Sequence, residues 1–204
     1  MDRLPLVGWA FLGVALVALA GCKVQRQAPA PSTRYEAVKA AESPVSHWCD
    51  RTFTSAGPRL TLPSLAGGTV VDPARLPGGS KGRRLWVNLW ATWCVPCLRE
   101  MPLLLKWQAD LRSDGVDVDV LFLSLDEDAQ AFDKFLAEHK SIPATKVARV
   151  ESQAAYEQWI KSYLKDPATP IPIHLLGAAE GGLRCIRSGS LHEGDYPAAK
   201  AALR

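Results

Sequence analysis

The sequence predicts an α/β domain: a central mixed β-sheet flanked by helices, with a short strand or hairpin extension ahead of it. Three observations carry this. "RLWVNLWA" (84–91) and "VDVDVLFLSL" (116–125) are largely apolar runs, as expected of strands buried on both faces of a sheet. Segments with apolar residues at helical spacing follow each of them. Late in the chain, "IPIHLL" (171–176) and "LRCIRSG" (183–189) flank the turn "GAAEGG", which reads as a closing hairpin.

The elements follow in chain order. From Leu4 to Gly21 there is no charged residue, and the apolar stretch ends in small side chains, as an export signal does before its cleavage site. Its end, "LAGC" (19–22), resembles the lipobox of bacterial lipoproteins. That resemblance implies a signal peptide over 1–21 and lipidation of Cys22, which would anchor the chain to a lipid membrane. An uncleaved signal anchor is the alternative, and either reading exports the domain. Residues 22–46 are poor in large apolar side chains and read as a flexible tether, with a transient helix near Tyr35–Ala41. The folded domain is expected over 47–204. "PRLTLPSLAGG" (58–68) alternates and then turns, giving the short strand or hairpin; "DPARLPGGSKGRR" (72–84) reads as a basic surface loop.

After the first central strand, Met101, Leu104, Trp107 and Leu111 mark a helix ending near 113–115, with Pro102 inside it and expected to kink it. After the second, "DEDAQAFDKFLAEHK" (126–140) opens with acidic capping residues and sets Phe132, Phe135, Leu136 and His139 on one face. "ATKVARV" is a short strand. Ser152 caps a helix whose buried stripe is Tyr156, Trp159, Ile160, Tyr163 and Leu164, and "YPAAKAALR" (196–204) closes the chain as a helix.

With 204 residues, a formal net charge of +3 and no basic block, nothing in the chain points to nucleic-acid binding. The cysteines are more informative. There are five, and lipidation would remove Cys22 from thiol chemistry, leaving Cys49, Cys94, Cys97 and Cys185. An even number suits an exported protein with disulfides. Cys94 and Cys97 lie two residues apart in "NLWATWCVPCLREMP" (88–102), where a strand gives way to a helix. A zinc site would need further paired ligands, which the isolated Cys49, Cys185 and four histidines do not supply, so no metal and no cofactor is expected. A structural clip across two residues would close almost no loop. A reactive dithiol fits better. Unpaired amides and the helix dipole favour a thiolate at Cys94, which opens a target disulfide, and Cys97 then resolves the mixed disulfide. Pro96 suits the first helical turn and stiffens the ring between the sulfurs.

"LWVNLWATWCVPCLREMP" resembles the active-site region of the thioredoxin superfamily. Within it, the stretch is most similar to the ResA/TlpA-like membrane-tethered thiol–disulfide oxidoreductases, which keep "NxWATWCxPCxxExP". The resemblance runs from about Pro58 to the C-terminus and implies a thioredoxin-like fold. It also implies a cis-proline facing the cysteines, matched by Ile171-Pro172-Ile173, with Pro170 as the rival. Where thioredoxins carry a buried Asp, this chain has Asn88, which cannot take a proton. ResA-like proteins instead have a Glu three residues past the second cysteine, matched by Glu100, a proton acceptor for Cys97 if buried and an ordinary solvated helix residue if not. Trp93, Pro96 and Ile171 would form the client-docking surface, with Trp90 in the core. Some relatives carry an additional disulfide, which Cys49 and Cys185 could form across a long loop; two unpaired buried thiols are the alternative. His174 alternates with Pro172 and could approach the site, but a copper centre would need a longer cysteine spacing, so it is read as packing.

The function expected from this resemblance is an exported, membrane-anchored oxidoreductase facing the periplasm or cell exterior. It would reduce client disulfides, in cytochrome c maturation or copper-site thiols for example, with electrons from a membrane donor. The client is a disulfide-bearing or dithiol protein. A non-catalytic binding module or metallochaperone is the alternative. A peroxiredoxin-like peroxidase fits less well, because Trp93 stands immediately before the cysteine where that chemistry needs Thr and Pro ahead of it.

Overall fold

The computed structural model describes residues 44–53, 57–67 and 83–204. The expectations for the signal segment 1–21, for Cys22, for the helix near Tyr35–Ala41 and for most of the 72–84 loop lie outside these residues. Among the described residues no helix is long and apolar enough to cross a membrane.

Among the described residues, six strands form one mixed sheet in the order β1-β6-β5-β2-β3-β4. At its centre are β2 (Arg84–Trp90) and β3 (Val118–Ser124), paired in parallel. β3 also pairs in parallel with β4 (Val147–Arg149). On the other side, β2 pairs antiparallel with β5 (Ile173–Gly177), and β5 with β6 (Leu183–Ser188). β1 (Arg51–Thr52) adds to the edge of β6. The all-buried pattern of β3 and the nearly all-buried pattern of β2 explain their continuous apolar character.

Each face has its own core. Trp86 and Trp90 of β2 and Phe122 of β3 pack under α2 (Val95–Ser113) and α3 (Ala129–Glu138). Leu85, Val87 and Leu89 face the opposite way, against Trp159 and Ile160 of α4 (Gln153–Ile160). Alternate β2 residues thus serve opposite layers, the side-chain period of two that a strand imposes. α5 (Tyr196–Leu203) closes the first layer.

Capping follows the expected chemistry. Asp128 accepts from the amides of Gln130 and Ala131 at the start of α3, and Ser152 from Ala155 at the start of α4. Tyr163 and Leu164 lie past the end of α4, so the buried stripe expected there continues into the following turn.

Three details differ from expectation. The helix α2 runs unbroken for 19 residues through Pro102, which stands on its exposed side. In the described part of the extension, 58–67, the backbone pairs with its neighbours at two isolated bridges, Arg59 to Gly182 and Leu65 to Val150, while Leu60 is buried in the core and the added strand is β1, further upstream. The segment leading into β1 is also helical: α1 (Pro44–Trp48) straddles the boundary expected at residue 46. It is held on the domain by the Trp48 indole donating to Asp195 at 3.1 Å and by the disulfide Cys49–Cys185, which joins residues 136 apart in sequence.

Candidate active site

β2 delivers the chain to the site. After Trp90, a turn in which the Cys94 amide donates to the Ala91 carbonyl leads into α2. This turn is tied to the end of β3 by Asp126. Its buried carboxylate accepts from the Thr92 amide and hydroxyl and from the Ser124 hydroxyl, the last two at 2.7 Å. A carboxylate so fully bonded can sit in the interior without a cation, and it fixes the approach to the cysteines.

Cys94 is the N-cap of α2, and its Sγ accepts from the Cys97 amide at 3.3 Å. The sulfur thus lies where the unpaired amides and the helix dipole favour negative charge. Pro96 occupies the first turn, where a missing N–H costs little. Cys94 and Cys97 form a disulfide. Cys97 is wholly buried and Cys94 is 5% exposed, whereas Trp93 (70%) and Val95 (54%) project into solvent beside them. The pair is therefore asymmetric: only Cys94 borders the surface.

Facing it, the Ile171–Pro172 peptide is cis, and the Ile171 carbonyl lies 3.9 Å from Cys94 Sγ. Of the two rival prolines, Pro172 occupies the cis position. Two open cavities flank the disulfide. One, of ≈ 440 Å³, lies between Trp93 and Ile171, with Tyr156 in its wall and Glu127 and Asp128 among its lining. The other, of ≈ 670 Å³, is bordered by Pro96, Glu100, Leu191 and His192.

Beneath the cysteines is a buried polar cluster. Cys97, Glu100, Met101, Leu104 and Leu111 share the inner face of α2, so Glu100 points inward at 2% exposure. The solvated alternative for this residue does not hold. Asn88 Nδ2 donates to Glu100 Oε1 and the Leu191 amide to Oε2, both at 2.9 Å. Burial pushes the Glu100 carboxyl up to about 7, against the pull of those two donors. His174 stands directly across from Asn88 in the β2–β5 register and is also wholly buried. Its Nδ1 faces the Trp86 indole N–H at 3.3 Å, and its Nε2 lies 3.4 Å from Glu100 Oε1. Burial holds His174 down to about 3, so the ring is neutral. Its approach to Glu100 is a polar contact, not an ion pair.

The chain thus brings together Trp93, Cys94, Pro96, Cys97, Glu100, Ile171 and Pro172. Cys49 and Cys185 meet elsewhere, at the edge of the sheet. Two contributors escape a reading of the sequence. The Leu191 amide is a backbone group, invisible to side-chain motifs. His174 reads as packing, although its alternation with Pro172 along β5 places it on the right face. Among the described residues no group of three or more His, Cys, Asp or Glu is arranged to hold a metal ion.

The redoxin family profile matches residues 54–163, more than half of the chain. The chain belongs to the redoxin family. Local similarity agrees with the ResA-type resemblance read from the motif. A stretch of 59 residues is 36% identical to the thiol-disulfide oxidoreductase ResA of Oceanobacillus iheyensis, covering 29% of this redoxin and 30% of that protein. Another of 48 residues is 40% identical to the thioredoxin-like protein YneN of Bacillus subtilis, covering 24% and 28%. These matches span less than a third of either relative. Among solved structures, a Chlorobium tepidum protein assigned as the thiol:disulfide interchange protein DsbE superposes with a TM-score of 0.53 at 24% identity, covering 72% of this redoxin and 93% of that chain. A second C. tepidum protein, a thiol:disulfide interchange protein of the thioredoxin family, gives 0.50 at 22% identity over 71% and 99%. At these identities the superpositions establish the thioredoxin-like fold.

Proposed function

We propose that this redoxin is a thiol–disulfide oxidoreductase that reduces disulfides in client proteins. The observation that carries the reading is the asymmetric Cys94–Cys97 pair: one sulfur at a helix N-cap beside an exposed tryptophan, the other sealed above a buried carboxyl near neutrality.

In the reduced protein, the Cys94 thiolate attacks one sulfur of the client disulfide. A mixed disulfide forms, and the client's second sulfur leaves as a thiolate. Cys97 then gives its proton to Glu100 and attacks Cys94 Sγ. The client departs as a dithiol, and the enzyme is left with the Cys94–Cys97 disulfide. Two electrons from a donor dithiol restore the starting state. Glu100 suits proton acceptance because its proton affinity stands near the operating pH. Trp93, Pro96 and Ile171 offer the surface on which the client segment docks, with Pro172 facing the sulfurs.

The reading extends to the whole chain. Residues 1–21 act as a lipoprotein signal, Cys22 carries the lipid, 22–46 form the tether and 47–204 the thioredoxin-like domain. The enzyme then faces the periplasm or cell exterior. It receives electrons from a membrane donor and serves clients such as apocytochrome c or copper-site thiols. Support for this part is the apolar run ending in "LAGC" and the ResA-type motif.

Insulin reduction with dithiothreitol as donor tests the core of the proposal. Turnover by the wild type and its loss in Cys94→Ser are expected. Equal absence of turnover in both proteins would favour the non-catalytic binding module instead.

A further inference from the structure

The buried cluster beneath the cysteines contains a group that thiol exchange as proposed does not use. His174 is one of only a few wholly buried polar side chains among the described residues; its Nδ1 meets the Trp86 indole N–H, while its Nε2 is buried without a hydrogen bond, 3.4 Å from Glu100 Oε1. Such a residue in the interior needs its hydrogen-bonding capacity matched.

The neighbours determine its tautomer. The indole nitrogen of Trp86 always carries a proton and can only donate. It points at Nδ1 from 3.3 Å, and the Asn88 amide nitrogen lies 3.4 Å from the same atom. Nδ1 must therefore present its lone pair, which puts the single proton of the neutral ring on Nε2. Nε2 is the nitrogen 3.4 Å from Glu100 Oε1. That proton is buried and makes no hydrogen bond as the side chains stand, and a small turn of the ring would bring it onto Oε1. Two donors already meet the same carboxylate, Asn88 from β2 and Leu191 from the loop after β6.

We propose that His174 is a positioning residue: locked as the Nε2–H tautomer by Trp86, it donates toward Glu100 and favours the carboxylate over the acid. Two hydrogen bonds, from Asn88 and Leu191, already oppose the burial that favours protonation of this carboxyl, and the Nε2–H of His174, 3.4 Å away, adds a third dipole of the same sign. Without His174, burial wins by a larger margin and Glu100 keeps its proton to higher pH. It is then already occupied when Cys97 needs an acceptor. This inference rests on the exchange mechanism proposed above, and it supplies the reason that mechanism can run near neutrality.

Asn88 completes the arrangement. Its Oδ1 is buried without a partner, while Nδ2 serves the carboxylate. When Glu100 takes a proton, rotation of the Asn88 amide turns Oδ1 toward it and provides an acceptor. The cluster can therefore hold either protonation state of Glu100 without moving the backbone. The ≈ 670 Å³ cavity bordered by Glu100 gives the proton an exit to solvent.

Other charges act on the pair. Arg99, Lys106, His192 and Glu193 line the cavity on the Glu100 side. Around His174, the Gly189 backbone and Asp50 favour the protonated ring and Arg187 disfavours it. The Gly189 backbone is thus a rival to Glu100 for the proton of the ring.

The test uses the full-length oxidised protein, in which the paired cysteines do not titrate. Nitrogen-15 NMR of histidine-labelled protein is expected to show His174 neutral, with Nε2 protonated and Nδ1 bare, from pH 5 to 8. Carbon-13 NMR of the glutamate carboxyls, with Glu100 identified by its loss in Glu100→Gln, gives the second readout. His174→Phe keeps a ring but removes the donor, and should raise the Glu100 midpoint by about one pH unit, a tenfold change in proton affinity. His174→Gln, whose amide nitrogen can reach the Nε2 position, should return the midpoint most of the way. A ring protonated on Nδ1 would overturn the proposal, as would a Glu100 midpoint raised as much by Gln as by Phe. So would an unmoved midpoint in folded His174→Phe, the result expected if Nε2 serves Gly189 instead. If the Phe variant does not fold, His174→Met, which also lacks a donor, takes its place in the comparison with Gln, and the tautomer is read from the wild type in either case. Insulin turnover of the wild type, measured in parallel, strikes only the exchange mechanism if it is absent.

Discussion

Replacing Glu100 with Gln should convert a pH-dependent stability into a flat one, and the size of the change follows from the burial of the carboxyl. An ordinary glutamate in the unfolded chain titrates at 4.5, and in the fold Glu100 titrates at about 7. The gap of about 2.5 pH units corresponds to about 3 kcal/mol. Because the folded-state value is the higher one, the folded protein binds the proton more tightly than the unfolded chain. Stability from this group is full below pH 4.5, falls as pH rises from 4.5 to 7, and is lost above that. The amide that replaces the carboxyl has no proton to lose. It can keep the Leu191 contact through its oxygen and meet Asn88 if that residue turns its free Oδ1 toward the new N–H₂. Any fixed cost of the substitution is the same at every pH, so the informative quantity is the change in the mutant-minus-wild-type difference between pH 4.5 and pH 8. Urea unfolding of the two oxidised proteins should show that difference moving by about 3 kcal/mol in favour of Glu100→Gln. Two stability profiles that stay parallel across this range would refute the buried, near-neutral carboxyl, and with it the proton acceptor assigned to Cys97.

Two further outcomes follow from the geometry. Replacing Cys49 and Cys185 together by Ser opens a loop joining residues 136 apart, whose closure entropy amounts to about 5 kcal/mol; a loss of about 2–5 kcal/mol in urea unfolding is expected, with insulin turnover retained at low temperature. Trp93→Ala removes a side chain that is 70% exposed and carries no core packing, so unfolding should be unchanged within about 0.5 kcal/mol, while kcat/KM for a protein disulfide falls by about tenfold or more.

The parts of this protein that are local in sequence are legible without the fold. β2, α2 and β3 announce themselves through apolar runs and helical spacing, and Cys94, Cys97 and Glu100 lie within seven residues at a helix start. Positions i, i+3 and i+6 from Cys94 turn progressively around the first two turns, so the inward direction of Glu100 can be read from the same stripe that buries Leu104 and Leu111. The 3₁₀ turn at Ala144–Lys146 and the weak pairing of 58–67 cannot, because short irregular segments take their shape from what they pack against.

The roles of Asn88 and His174 lie on the far side of that boundary. Each looks like an isolated polar residue in an apolar strand, a pattern that by itself says only that some partner must exist. What gives them a partner is the antiparallel register of β2 with β5, which sets Asn88 opposite His174 across an interval of 86 residues and points both at α2. Register is a property of the whole sheet: a slip of one residue would turn His174 toward Trp159 and Ile160 and put Ile173 against Glu100. The carboxyl would then lose His174 from beside it and be buried against a hydrocarbon, where its proton would be released only at higher pH. The acid–base behaviour of the site therefore depends on strand pairing as much as on the residues of the CxxC motif.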